Sequence, residues 1–107
     1  MNTFVLDDYH LEDIQDGLSC SIILPGLAAI VPGLLTFVSS DAGQPRSVLV
    51  DVNRTSLVRL QDLDEQDAFF QGFEQVDDLL EDLLVYYPDL NLTDLVTVVL
   101  FEVTDNV

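Results

Sequence analysis

Lysine and tryptophan are absent from this chain, and cysteine, histidine and methionine occur once each. The lone cysteine, Cys20, excludes an internal disulfide. Basic residues are almost as scarce. Three arginines, Arg46, Arg54 and Arg59, stand against 20 acidic residues, and the formal net charge is −17 over 107 residues. Nucleic-acid affinity comes largely from Lys and Arg displacing counterions from phosphates, so direct nucleic-acid binding is not expected. An anionic membrane surface is repelled for the same reason. The most apolar stretch, Ile22 to Val38, is interrupted by Pro25, Gly26, Pro32 and Gly33. It is too short and too broken to span a bilayer. The segment Met1–Tyr9 lacks a basic region and carries Asp7 and Asp8, so no secretory leader is expected and the cytoplasm is the default location.

What is present in quantity is apolar: 49% of residues are hydrophobic. A disordered acidic chain is poor in such residues, so this one is expected to fold, and its length suits a single domain with one core, residues 1–107. The charge favours a basic protein surface as partner, with self-association as the other expectation. Solubility or adaptation to high salt accounts for the same acid surplus.

The pattern along the chain is strands, then helices, then a last strand. Tyr9 to Asp16 reads as a short helix with Leu11 and Ile14 on one face and Gly17 as its stop. Ser21 to Leu24 and Leu35 to Ser39 read as strands, the second introduced by the Pro32-Gly33 turn. Residues 41–45 read as a hairpin loop. Ser47 to Val52 is a strand with Val48, Val50 and Val52 on one face, and Thr55 to Leu60 continues or follows it. Asp62 or Asp64 can cap a short helix ending near Gly72. Gln75 to Tyr87, closed by Pro88, is the strongest helix. Val76, Leu79, Leu80, Leu83, Leu84 and Tyr87 lie on one side of it, and Asp77, Asp78, Glu81 and Asp82 on the other. Leu95 to Val103 is the closing strand. This order predicts an α+β fold with a small barrel or a strongly curled sheet.

Four segments carry a family resemblance. They are Leu60-Gln-Asp-Leu-Asp-Glu-Gln-Asp-Ala68, Gln71-Gly-Phe-Glu-Gln-Val-Asp-Asp-Leu79, Tyr87-Pro88, and Val96-Thr-Val-Val-Leu-Phe-Glu102. In order and spacing they resemble the ASCH domain, and Asp16-Gly17 and Pro32-Gly33 fall where that family has a Gly-x-Lys segment and a turn. The resemblance covers Leu11 to Val103. It implies a small PUA-like β-barrel with two or three short helices, and a cleft for RNA or a modified nucleoside. Some small relatives hydrolyse N(4)-acetylcytidine, using the Lys and Thr of the Gly-x-Lys motif and a Glu after the helical Asp-Ala.

This sequence departs at each of those positions. Ser19 replaces the Lys, Ile22 the Thr, Leu24 the Arg and Gln71 the Glu; Ser21 and Glu74 are the nearest substitutes by position. Ser, Ile and Gln do not supply the base, anchor and proton carrier that such a set provides. The expectation is therefore an ASCH-type interaction module without its relatives' catalysis, acting as an acidic decoy or inhibitor of a nucleic-acid-binding protein. The alternative is an RNA-binding or N(4)-acetylcytidine-hydrolysing domain. Leu18, Leu34, Phe69, Phe70, Leu83, Leu84 and Tyr86 are the candidate interface residues, their rival reading being a larger core. Cys20 and His10 make a weak nucleophile–base pair, since no third group orients them, and a half-buried structural cysteine is the better reading of Cys20. Asp62, Asp64 and Asp67 lack the glycine and bidentate Glu spacing of a calcium loop, and capping is the better reading of Asp62 and Asp64. No metal and no cofactor is expected.

Overall fold

The computed structural model describes residues 3–6, 11, 14, 20–40 and 46–104. Five strands form one sheet: β1 (Thr3–Leu6), β2 (Ser21–Pro25), β3 (Gly33–Ser39), β4 (Ser47–Arg59) and β5 (Leu95–Val103). Their order across the sheet is β1-β3-β4-β5-β2. The β1–β3 pair is parallel and the other pairs are antiparallel. Between β4 and β5 the chain makes a 3₁₀ turn, Leu60–Asp62, and two helices, α1 (Glu65–Phe70) and α2 (Val76–Tyr86).

The sheet is buried on both faces, and period-2 alternation sorts the side chains between them. Ile22 and Leu24 of β2, Phe37 of β3, Val50 and Val52 of β4, and Val99 and Phe101 of β5 join one cluster, together with Leu11 and Ile14. Ile23, Val96 and Val98 point the other way and pack with Leu60, Leu63, Ala68, Leu79 and Leu83 beneath the helices. Leu11 and Ile14 are helical and buried, as the spacing predicts; the other residues of the expected 9–16 helix and of the expected 41–45 loop lie outside the described residues.

The expected closed barrel is not formed. The sheet is open, with β1 and β2 as its edges. Leu6 from one edge and Ile22 and Leu24 from the other still share a core, because Leu11 and Ile14 pack into the same cluster. Side chains thus hold together edges that no described ladder joins. β1 is not among the strands the sequence predicts, being only four residues long and set in parallel against partners 33 positions away.

β4 is one continuous 13-residue strand, kinked by a bulge between Val52 and Arg54. Val52 pairs with Phe101 and Arg54 with Leu100, leaving Asn53 as the extra residue. The bulge resets the alternation. Val48, Val50 and Val52 face the first cluster, whereas Arg54, Ser56 and Val58 stand opposite Leu100, Val98 and Val96 on the helix side.

Thr97 pins the segment after β2. Its buried hydroxyl donates to the Gly26 carbonyl at 2.7 Å and accepts from the Ala28 amide at 2.9 Å. Gly26 turns the chain there with φ of 71°, a region that favours glycine. Thr97→Val keeps the shape and strands both backbone groups. It should cost about 1–3 kcal/mol, read as a lower urea midpoint at unchanged m-value.

Candidate functional site

A cleft of about 260 Å³ lies between the outer half of β4–β5 and the α1 segment. The bulge supplies one wall, because it turns Arg54, Ser56 and Val58 to this side, beside Val98 and Leu100 of β5. The other wall is Asp62, Asp64, Gln66, Asp67 and Phe70. Leu60, Leu63 and Ala68 anchor that wall in the core below.

The carboxylates are placed by helix capping. Asp64 is the N-cap of α1: its Oδ1 accepts from the Asp67 amide, and the Asp67 Oδ2 accepts from the Asp64 amide, both at 3.0 Å. The amide of Asp67 holds the Asp64 carboxyl below the usual aspartate range. Desolvation pushes Asp67 the other way, assisted by the Asp64 charge and opposed by the hydrogen bond from the Asp64 amide and, more weakly, by Arg54. Arg54 Nε also donates to Ser56 Oγ at 3.2 Å. Two carboxylates with opposite shifts can signal an acid–base pair, but here the capping hydrogen bonds and burial account for both.

These shifts set an expected pH response. Asp67 titrates above its unfolded value, so its charge opposes folding above that folded pKa and ceases to do so as pH falls through it. Asp67→Asn keeps an acceptor for the Asp64 amide and removes the charge. The variant should therefore melt no lower than the parent at neutral pH, and the two should converge below the carboxylate range. Thermal melts at both pH values check this.

The residues carried over from the family motif are not gathered here. Ile22 and Leu24 are buried in the cluster on the opposite face of the sheet. Ser21 lies on the cleft side, opposite Leu100, but is itself buried. Gln71 sits just past α1 with its side-chain nitrogen buried and, among the described residues, without a hydrogen-bond partner. Glu74 is exposed and does not line the cleft. Ser19, Leu18 and His10 lie outside the described residues. Cys20 is exposed and not half-buried as expected, its Sγ 3.9 Å from the Phe70 carbonyl oxygen. Among the described residues no group of His, Cys, Asp and Glu is arranged to hold a metal.

The interface candidates divide. Leu34 and Phe69 are 60% and 75% exposed, and Tyr86 is partly exposed. Phe70 lines the cleft. Leu83 is buried, and Leu84 packs against the same cluster, so these two belong to the core beneath α2. Of the cleft residues, Arg54, Ser56 and Gln66 were not singled out from sequence as a site. Their shared face depends on the bulge at Asn53, which the alternation signals only by breaking there.

No family model and no curated protein matches the chain. Two solved structures do. An ASCH domain from Lactobacillus crispatus JV V101 superposes with a TM-score of 0.71 at 12% identity, covering 95% of this chain and 79% of that one. A protein of the DUF984 family model from Enterococcus faecalis V583 superposes with a TM-score of 0.66 at 15% identity, covering 98% of this chain and 77% of that one. No helix among the described residues is long and apolar enough to cross a membrane. The five-stranded open sheet, the helical pair over one face and these superpositions together give the chain an ASCH-like fold.

Proposed function

We propose that this chain is a non-enzymatic binding module that presents an acidic cleft to a basic protein surface. One observation carries the reading: Asp62, Asp64 and Asp67 line the cleft against the single cation Arg54. Such a wall repels phosphate and attracts Lys and Arg. The exposed carboxylates of Asp77, Asp78 and Glu81 on α2 extend the acidic surface. That supports action as a decoy that competes with nucleic acid for its binding protein. Catalysis of the relatives' kind has little support, since neither Gln71 nor the buried Ile22 can move a proton.

Arg54 and Phe70 favour a second reading. A cation and an aromatic edge in one cleft are the parts that hold a phosphate and stack a base. A pull-down from nuclease-treated lysate at low and high salt, with and without added RNA, separates the two. A basic nucleic-acid-binding protein, released by salt and competed by RNA, is the expected result. Recovery of RNA alone, or turnover of N(4)-acetylcytidine, would overturn it in favour of the second.

A further inference from the structure

We infer that the end of the sheet farthest from the bulge is a docking groove for an extended, proline-rich segment carrying basic residues. This surface is separate from the acidic cleft and does not rest on the reading of it. Two depressions meet at Leu90. One, of about 310 Å³, runs between Pro25, Tyr86 and Pro88. The other, of about 490 Å³, runs between Leu27, Leu90 and Leu95. The rings of Tyr86 and Tyr87 stand at 79° with centroids 4.8 Å apart, making a notch. Leu27 is 80% exposed and Tyr86 38%, so apolar surface lies open at both depressions.

The chemistry of the walls selects the occupant. Pro25 and Pro88 have no amide hydrogen, so the rim is poorly suited to receive an added strand through backbone hydrogen bonds. Aromatic and proline surfaces with adjoining pockets suit a polyproline II segment, which is already extended and loses little entropy on docking. Among the described residues on the two linings the charged side chains are both acidic, Asp89 and Asp94. They complement Arg or Lys beside the prolines, and the chain's net charge of −17 acts in the same direction.

The test is a titration of the full chain, followed by NMR, with a synthetic Pro-Xaa-Xaa-Pro peptide ending in two arginines. Two control peptides have the prolines changed to alanine, or keep the arginines in a Gly/Ser background. Saturable shifts confined to Tyr86, Leu90 and Leu95 are expected. Tyr86→Ala and Leu27→Ala should each weaken binding about tenfold. Leu27 is exposed enough that its variant stays folded, and Asp89→Asn should reduce the salt dependence. Absence of saturable shifts would overturn the proposal. So would equal binding of the alanine peptide, which would mean a helix-accepting face, or of the arginine control, which would mean charge attraction alone. Shifts at Arg54 and Phe70 instead of the groove would also overturn it, and would point back to the cleft.

Discussion

Deleting Asp51 is expected to unfold the domain, whereas deleting Asn53, two positions on, is expected to leave it folded. Both remove one residue from the same strand. Without Asn53 the ladder becomes regular: Val52 still meets Phe101 and Arg54 still meets Leu100. Every other side chain of β4 keeps its face, and only the local kink is lost. Without Asp51, Val52 moves to an outward position and Asn53 takes its place against Phe101. The fully buried valine leaves the core, and an amide enters it with no designed partner. Losing the valine costs about 1.5–3 kcal/mol and burying the amide about 1–3 kcal/mol more, a large share of the ~5–15 kcal/mol that holds a small domain together. Urea unfolding followed by far-UV circular dichroism reads the contrast. A cooperative transition retained by the Asp51 deletion, or lost by the Asn53 deletion, would show that the register of β4 is set elsewhere.

The same residue marks how far the sequence could be read. Alternation through Val48, Val50 and Val52 fixed the first half of β4 and its buried face. Beyond Asn53 the phase inverts, so the pattern shows where the strand changes and not that it continues. The helices were legible because their signals are local. Asp64 caps α1 as one of the two expected aspartates, Gly72 takes a positive φ of 85° after α1, and Pro88 follows the end of α2; the reciprocal Asp67 bond of the capping box is a finding of the structure. The N-cap of α2 was not legible. Gln75 makes no side-chain cap, and the Val76 amide instead donates to the Glu65 carboxylate from the other helix, at 3.2 Å. Long-range facts of this kind also decided the site. Leu83 and Leu84 look alike with Tyr86 on a helical wheel, but the position of the sheet alone determines which are covered. Ile22 and Leu24 match a family pattern by spacing, yet strand alternation sends them away from the cleft.

Phe37→Ala is the second large effect expected. Phe37 is fully buried, with its ring edge-on to Phe101 at 5.5 Å and to Phe4 at 6.5 Å. It links β3, the edge strand β1 and the C-terminal part of β5 in one contact set. Removing the ring should cost about 3–5 kcal/mol, since a close-packed core collapses only partly around the void. β1 is held to the sheet by one parallel neighbour, so it should loosen first. Phe69→Ala is the matched control, because that ring is mostly exposed, and should change stability by no more than about 0.5 kcal/mol. Denaturant midpoints of the two variants compare them directly. A similar loss in both would mean that Phe69 is covered in solution, and would point to self-association through α1.

The sheet carries its two clusters on opposite faces, and that division has a dynamic consequence. Raising the helical layer exposes Ile23, Val96 and Val98 but leaves Phe37, Val50, Val99 and Phe101 sealed behind the strands. Sub-global opening of that layer therefore has a lower free-energy threshold than loss of the whole fold. Because the Glu65 carboxylate ties α1 to the start of α2, the two short helices should open together as one unit. The cleft wall belongs to that unit, so the cleft can widen while the far side of the sheet stays shut.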